Sequence, residues 1–217
     1  MSRVGGPVFG QYQRRYVWPL AGLALVCSAA VGFGLLALFG PLLGLALFLA
    51  FSWAALDRLL LVGNGWLRRG VAQRLDEVGE PVETEDLFVG LAHPCHFGTL
   101  RRRLIETDDD VGFLRLSPLG LYYHGDAVAF EVPAEAITEV RLVYGWGHLV
   151  PWARVEVVIE GGEPYDSVVF DSRRFTSHAL CRQDNRRLYQ RLRELMTAAD
   201  RRARLGAEVG ETLSVSA

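Results

Sequence analysis

Residues 17–56 read VWPLAGLALVCSAAVGFGLLALFGPLLGLALFLAFSWAAL, an uninterrupted run of forty residues without a charged side chain. One helix needs about 20 apolar residues to cross the hydrocarbon core of a bilayer. The run is long enough for two such helices, and Gly40 followed by Pro41 marks a place where one helix ends and the next begins. We therefore predict a transmembrane helical hairpin over 17–62, with helices at 17–38 and 41–62.

Arginines predict the orientation of this hairpin. They flank the uncharged run on both sides, at positions 3, 14, 15, 58, 68, 69 and 74. Because positive side chains are retained in the cytoplasm, we predict a basic cytoplasmic tail at 1–16 and a multi-pass protein of the inner (cytoplasmic) membrane with both termini cytoplasmic. Trp18 and Trp66 would lie at the lipid–water interface. A cleaved signal peptide ending near Ala30 is the alternative, and the second span would then still leave the rest of the chain cytoplasmic.

Small residues recur four positions apart in both predicted spans. Such spacing lets two helices approach closely in lipid, either within the hairpin or against another membrane protein. The positions are Ser28 and Gly32, Ala30 and Gly34, and Ala46, Ala50 and Ala54.

Residues 63–85 connect the spans to the rest of the chain. Leu67, Val71, Leu75 and Val78 fall at helical spacing among arginines. This pattern predicts an amphipathic helix on the anionic inner leaflet, or alternatively a continuation of the second span into the cytoplasm. The acidic stretch that follows, with Pro81 in it, is typical of a solvated linker.

Composition excludes several classes of protein. The 217 residues have a net charge of −2, with 23 arginines and no lysine, which argues against a nucleic-acid partner. The three cysteines are odd in number and far apart, which excludes a secreted disulfide scaffold.

The segment 86–204 has the pattern of a small antiparallel domain. Seven short apolar or alternating runs are separated by turn signals such as Gly125-Asp126 and Gly161-Gly162. A stripe of Leu188, Leu192, Leu195 and Ala199 then predicts a helix from about 184 to 204, which Asp184 would cap. The predicted fold class is therefore membrane-anchored α+β: the two-helix hairpin, then a seven-stranded antiparallel barrel capped by a C-terminal helix, with a flexible tail at 205–217.

The segment LSPLGLYYHGDAVAFEVPAEAI, residues 116–137, resembles bacterial pleckstrin-homology-like (PH-like) and GRAM-like domains. In those families a strand with a Gly-Leu-aromatic element leads through a tight turn into a second strand. The resemblance implies a PH-like cytoplasmic domain that binds rather than catalyses. The phosphoinositide-binding members carry a basic cluster in the first two strands. This chain has Asp108–Asp110 there, so the resemblance does not extend to that specificity.

Two groups of residues are candidates for binding a protein or lipid partner. Arg101, Arg102 and Arg103 could face lipid phosphates or carboxylates of a partner, although the neighbouring acids could equally neutralise them. The segment 144–152 reads as an aromatic, glycine-bearing loop. It presents Trp146, His148 and Trp152 as contact residues, or as residues that fill the sheet's core.

A zinc site is the only cofactor that the sequence suggests, and no cofactor is otherwise expected. Cysteine and histidine are the usual ligands of tetrahedral zinc, and four of the following five residues would complete a site if they met in space: His93, Cys95, His96, His178 and Cys181. The alternative interpretation is that these residues are structural.

The sequence contains no recognisable catalytic motif, so we predict a non-enzymatic module. The function that we expect is presentation of the PH-like domain at the inner leaflet for binding of a protein or of lipid headgroups. The alternatives are an accessory subunit of a membrane complex and a Cys/His metal- or thiol-dependent regulator. Expected partners are the bilayer and a protein partner or a second copy of the chain.

Overall fold

The computed structural model describes residues 6–93, 108–147, 150–161, 166–175 and 178–215. Within these ranges the side chains are described except at 21, 24, 35, 39, 53–62, 145–147, 150–152, 178, 203 and 206–215. The chain consists of helices at its N-terminal end, a seven-stranded sheet, and a long C-terminal helix.

Helical structure begins before the uncharged run. Helix α1 (Pro7–Tyr12) starts with proline in its first turn and continues through a π-helical segment (Gln13–Val17) into helix α2 (Trp18–Phe39). Phe9 and Tyr12 of α1 are buried. Residues 7–16, predicted as part of the basic tail 1–16, are therefore helical, and two of them are packed against the rest of the molecule.

Helix α3 (Pro41–Val62) follows α2 after a single residue. Gly40 lies between them with φ of +81°, a left-handed backbone conformation that glycine adopts without strain. The chain therefore reverses direction at the Gly40-Pro41 step, the position at which the sequence predicted a break.

Helices α2 and α3 run antiparallel and pack closely. A Cβ atom at Gly32 would collide with the side chain of Phe48, and one at Gly44 would collide with the backbone of Leu36. Ser28 and Ser52 are buried in the two helices. By contrast Ala30, Gly34, Ala46 and Ala50 are exposed, so Ser28 and Gly32 are the ones that pack among the predicted small residues whose side chains are described; Ala54 lies outside that set.

Among the described residues, the helical stretch Pro7–Leu38 is long and apolar enough to cross a membrane. The apolar part of α3 whose side chains are described, Pro41–Ser52, is shorter than a span.

Seven antiparallel strands form one curled sheet, a half-barrel. The strands are β1 (Leu87–Ala92), β2 (Asp110–Ser117), β3 (Gly120–Gly125), β4 (Ala129–Pro133), β5 (Ile137–Gly147), β6 (Val150–Ile159) and β7 (Ser167–Ser172). Their order in the sheet is β4-β3-β2-β1-β7-β6-β5. The seven strands, the antiparallel pairing and the following helix confirm that part of the predicted fold, whereas the sheet is a half-barrel and not the predicted barrel.

The concave face of the sheet and the C-terminal helix α5 (His178–Val215) enclose the main core. Tyr123 and Phe170 lie at its centre with ring centroids 6.0 Å apart, and α5 contributes Leu188, Leu192 and Ala199. Helix α5 begins six residues earlier than predicted and continues to Val215, through the residues predicted as a flexible tail. Asp184 is accordingly an internal helical residue and not the cap.

A second hydrophobic cluster covers the outer face of β1 and β2. Helix α4 (Asn64–Glu77) lies there antiparallel to α1, and its buried residues Leu67, Val71 and Leu75 pack with Phe9, Phe88 and Phe113. The apolar stripe of 63–85 therefore faces the sheet. This packing corrects the interpretation that placed the stripe on the leaflet. The alternative, a continuation of the second span, is closer to the structure, because α4 follows α3 after Gly63 alone.

Strand β1 is consequently buried on both faces, and every one of its six residues is inaccessible. Leu87, Val89 and Leu91 belong to the main core, while Phe88 belongs to the outer cluster. A strand covered on both sides reads as a continuous apolar run, and LFVGLA fits that description.

Candidate functional site

An aromatic cluster lies where α1 and α4 meet the apolar helices. The ring centroids of Tyr12 and Trp66 are 5.7 Å apart in a stacked arrangement, and those of Tyr16 and Trp66 are 5.4 Å apart. Gly63 permits this contact, since a side chain there would collide with the Tyr12 hydroxyl. Tyr16, Trp18 and Trp66 remain partly exposed, as residues at a membrane interface are.

Exposed arginines surround the aromatic cluster. Arg14 and Arg15 precede α2, and Arg68 and Arg69 lie in the first half of α4. The Arg14 and Arg69 side chains each donate to the backbone carbonyl four residues earlier, at 3.2 Å, which keeps them along their own helices. The first acidic residue of the whole chain is Asp57, so this region is positively charged.

Asp126, in the turn between β3 and β4, fixes α1 and α4 to the sheet. Its buried carboxylate accepts a hydrogen bond from the backbone N–H of Phe9 at 2.8 Å, which satisfies a free donor at the start of α1. It also forms an ion pair with Arg74 of α4, whose guanidinium contacts the Asp126 carbonyl as well. We call these three residues, Phe9, Arg74 and Asp126, the latch.

Asp110 also stabilises the turn between β3 and β4. Its carboxylate accepts hydrogen bonds from the backbone N–H groups of Ala127 and Val128 at 3.1–3.2 Å, and from the Tyr123 hydroxyl at 3.3 Å. Burial raises the pKa of Asp110 to about 6, because these hydrogen bonds offset only part of the desolvation and Asp126 is negatively charged nearby. Asp110 therefore titrates between pH 5 and 7 in the folded protein.

A second set of buried charges joins β6, β7 and α5. Arg173 donates to Asp108 at 2.6 Å and lies over the Phe9 ring, 5.7 Å from its centroid. Arg154 pairs with Asp171 at 3.2 Å. Asn185 of α5 completes the set through hydrogen bonds with Asp171, Ser172 and Ala153. Arginine or amide groups therefore compensate the burial of these carboxylates.

The acidic segment that enters β1 is also paired with the sheet. Glu80 contacts His124 at 2.7 Å, and Arg115 bridges Glu83 and Asp86 at 2.8–2.9 Å. Burial would raise the pKa of Asp86, but the hydrogen bonds from Arg115 and from the Glu83 N–H outweigh burial and lower it.

The predicted aromatic loop at 144–152 is largely a β-hairpin. Strand β5 continues to Gly147 and β6 begins at Val150, with Trp146 opposite Pro151 and Gly145 opposite Trp152. The prediction of a long loop was wrong because Gly145, Gly147 and Pro151 are compatible with a two-stranded ribbon. The Trp146 and Trp152 side chains lie outside the described set, as does His148 altogether.

The other candidate binding residues, Arg101, Arg102 and Arg103, lie outside the described residues. Their segment connects β1 to β2, and the residue that precedes the segment, His93, donates its backbone N–H to Asp109 at 2.9 Å.

The candidate zinc ligands do not assemble in the described part of the chain. His93 follows Ala92, which pairs with Val169 near the start of β7, whereas Cys181 contacts Phe175 beyond the end of β7. His93 and Cys181 therefore do not share a site. Among the described residues no group of three His, Cys, Asp or Glu side chains is placed to hold a metal. Cys95 and His96 lie outside those residues, and the side chain of His178 does too.

Cys181 has the properties of a structural thiol. It is buried, and it donates to the Phe175 carbonyl at 3.4 Å. Burial raises its pKa to about 11, so the thiol is protonated and poorly nucleophilic at neutral pH.

The latch is the feature that sequence reasoning missed. The sequence indicates only a turn at Gly125-Asp126, and Arg74 is only one of the arginines that predict a cytoplasmic orientation. Proline at position 7 and apolar residues at 8, 9 and 12 are signals for a short packed helix at this end of the chain. Nothing in the sequence pattern pairs that helix with a turn 117 residues away.

No protein-family model, curated protein or solved structure matches this chain. The geometry of its own residues is therefore the basis for a functional assignment.

We predict that Asp126→Ala destabilises the full-length protein in detergent by about 1–3 kcal/mol, because it leaves the Phe9 N–H and the Arg74 guanidinium without their acceptor. Asp126→Asn keeps an acceptor for Phe9 and should lose less. The measurement is chemical unfolding followed by tryptophan emission. Asp76→Ala removes an exposed acid of α4 and is the control, expected within about 0.5 kcal/mol of wild type. Equal losses for Asp126→Ala and Asp76→Ala would contradict a role for the latch.

Asp110 predicts a pH dependence of stability. The pKa of Asp110 is raised in the folded state. Its contribution to the free energy of unfolding is therefore fully present below the unfolded pKa of 3.8 and is lost as the pH rises through about 6. Thermal unfolding of the full-length protein in detergent should therefore occur at higher temperature at about pH 5 than at about pH 7.5. Asp110→Asn should reduce this difference. An unchanged pH profile in Asp110→Asn would show that other groups determine it.

Proposed function

We propose that this chain is a non-enzymatic, membrane-anchored module of the inner membrane. In this proposal α2 and α3 form a transmembrane hairpin with both termini cytoplasmic. The sheet and α5 form a PH-like domain held at the inner leaflet, where it binds a protein partner or lipid headgroups.

The observation that supports a membrane anchor is the exposed apolar surface of α2 and α3. Among the described side chains of these two helices, eight large apolar ones are more than half exposed: Leu23, Leu25, Val26, Phe33, Leu38, Leu42, Leu43 and Leu49. A soluble protein rarely exposes so continuous an apolar surface, whereas in lipid it carries no cost. The aromatic cluster and the arginines at the base of α2 support the same placement, with that end at the cytoplasmic interface.

The observation that supports a presented domain is the outer cluster. Helices α1 and α4 lead directly into α2 and out of α3, and both are packed on β1 and β2. The domain is therefore docked on its anchor rather than tethered by a loose linker. The curled sheet and the C-terminal helix that covers it support a PH-like fold.

Thiol labelling tests the topology. In a background with Cys27→Ser and Cys95→Ser, Leu42→Cys places a thiol near the turn between α2 and α3, and Gln73→Cys places one on the exposed face of α4. A membrane-impermeant maleimide applied to intact spheroplasts should label Leu42→Cys and should label Gln73→Cys only after permeabilisation. Labelling of Gln73→Cys in intact spheroplasts, or failure at Leu42→Cys before and after permeabilisation, would contradict the proposed anchor.

A second candidate function, an accessory subunit of a membrane complex, is favoured by one observation. Ala46 and Ala50 are exposed, and each lies two residues from a position that faces α2, which is about 200° around the helix. These small residues are therefore available to a further helix.

If α3 carries such an interface, Ala50→Leu should release a protein that co-purifies with the chain from native membranes, because the larger side chain prevents close approach. Leu49→Phe enlarges a neighbouring exposed residue and is the matched control. Co-purification that survives Ala50→Leu would exclude this face as the interface. Mass spectrometry of the native preparation in lipid nanodiscs identifies what is bound in either case.

A further inference from the structure

Three segments of the chain meet at the base of the apolar helices. The first is the π-helical segment before α2 and the second is the start of α4, and the rings of Tyr16 and Trp66 from these two lie 5.4 Å apart. The third is the connection from β7 to α5. Its Phe175 carbonyl accepts hydrogen bonds from the Asn64 side chain at 3.3 Å and from the Cys181 thiol at 3.4 Å. The start of α5 therefore lies beside the start of α4.

All three segments are basic and free of acidic residues. Residues 6–20, 63–72 and 174–183 hold six arginines and no Asp or Glu. The six arginine side chains are exposed, and we call them the basal arginines: Arg14, Arg15, Arg68, Arg69, Arg174 and Arg182. They come from parts of the chain that are distant in sequence, so it is the fold that brings them to one end of the molecule.

The ion pairs of the fold do not use the basal arginines. Arg74, later in α4, pairs with Asp126, and Arg173, at the end of β7, pairs with Asp108. Among the described residues no carboxylate contacts a basal arginine. The positive charge that remains at this end is therefore not compensated by the described part of the chain.

The contacts that the basal arginines do make leave donors free. Arg14 and Arg69 each donate through Nε to a backbone carbonyl of their own helix, so their terminal Nη groups point to no described acceptor. The Arg174 guanidinium lies over the Phe175 ring, 5.6 Å from its centroid, a contact that uses the face of the guanidinium and not its N–H edge. These edges are the groups with which arginine binds phosphate oxygens in pairs.

Acidic side chains are held away from this end. Helix α4 has 14 residues and is therefore about 20 Å long. Its basal arginines lie in the first half, whereas Asp76 and Glu77 lie in its last turn and the acidic segment follows them. That segment is paired with Arg115 and His124 on the sheet. The charge of α4 is thus divided along its axis, with the positive end next to the apolar helices.

Phosphate of a lipid headgroup is the anion that a surface in this position meets. In the proposed function the base of α2 and α3 lies at the cytoplasmic interface, where Tyr16, Trp18 and Trp66 are partly exposed. Clusters of arginine directly beside a membrane helix attract the anionic lipids of the inner leaflet. A zwitterionic headgroup also offers a phosphate, but its own cation opposes a surface of uncompensated arginines.

We propose that the basal arginines form one binding surface for the headgroups of anionic phospholipids in the first lipid shell around α2 and α3. This inference rests on the proposed membrane anchor and deepens it, because it names the lipid class and the residues that select it. It goes beyond the orientation of the hairpin, since it also requires Arg174 and Arg182, which belong to neither flank of the hairpin.

Nitroxide quenching tests the lipid preference. The full-length protein is reconstituted into nanodiscs of one fixed mixture of phosphatidylcholine and phosphatidylglycerol. In two preparations an equal fraction of nitroxide, just below the headgroup, is carried either by the phosphatidylglycerol or by the phosphatidylcholine, and quenching of tryptophan emission is measured. Trp18 and Trp66 report on this shell, because each lies three residues from a basal arginine. We expect the phosphatidylglycerol nitroxide to quench more strongly.

A quadruple variant tests whether the basal arginines cause the preference. It carries Arg14→Gln, Arg15→Gln, Arg68→Gln and Arg69→Gln. The local ratio of phosphatidylglycerol to phosphatidylcholine should fall by about fivefold or more, since one arginine near an anionic surface already contributes about that factor. The matched control removes four other exposed arginines, of which the nearest lies roughly 14 Å beyond Arg182 along α5, and should keep the preference. It carries Arg191→Gln, Arg193→Gln, Arg201→Gln and Arg204→Gln.

A double variant tests whether α5 shares the surface. Arg174→Gln with Arg182→Gln should lower the preference for phosphatidylglycerol without changing the temperature of thermal unfolding, because neither side chain contacts a carboxylate of the described chain. A preference equal to that of wild type in this variant would overturn the composite surface.

The other outcomes separate this inference from the proposed function. Equal quenching by the two nitroxides in the wild-type protein would overturn the inference and leave the anchor intact, whereas absence of quenching by either would overturn the proposed function itself. An equal loss of preference in the control variant would assign it to net charge and also overturn the inference. Salt provides a check that needs no variant: at about 1 M the screening length is about 3 Å, so the wild-type preference should decrease. A preference that salt does not change would contradict recognition by charge.

Discussion

The two-sided burial of β1 is the constraint on which the rest of this structure depends. Leu87, Val89 and Leu91 face the concave side, and Phe88 faces the opposite side. Burying one such side chain contributes about 1.5–3 kcal/mol, so the chain gains by providing a second layer over β1 and β2. Helices α1 and α4 provide it. Because these are the helices that enter and leave the apolar pair, the same contacts cover the sheet and attach it to α2 and α3.

Polar groups fix the position of this layer. Hydrophobic packing alone is tolerant of small shifts, whereas the buried Asp126 carboxylate needs both the Phe9 N–H and the Arg74 guanidinium to compensate its desolvation. Arg173 adds a link between the layers, since it pairs with Asp108 and lies over Phe9. Asp110 shows the cost of such an arrangement: its burial with Asp126 nearby raises its pKa to about 6, although two backbone N–H groups favour the charged form.

The sequence predicted what depends on local pattern. The seven strands have alternating or continuous apolar runs between strong turn signals, and the end of α2 follows from Gly40 and Pro41. What it did not predict depends on contacts between distant residues. Helix α1 has only six residues and is stabilised by a turn 117 positions away. The apolar stripe of α4 could be buried in lipid or against the outer face of β1. The spacing of its residues is the same in both cases, so the sequence does not distinguish them. Likewise the Cys/His spacing does not reveal that His93 and Cys181 lie near opposite ends of β7.

The packing of α1 and α4 on the sheet restricts the orientations that the domain can adopt. A domain on a flexible linker samples many orientations, and each binding event must offset the loss of that freedom. Here the linker region contains α4, whose stripe is packed, and an acidic segment paired with Arg115 and His124. In the proposed function the orientation of the domain would therefore be set before any partner arrives, and weak contacts at a defined height above the membrane would suffice. Helices α1 and α4 are also the elements that connect α2 and α3 to β1, the strand at the centre of the sheet.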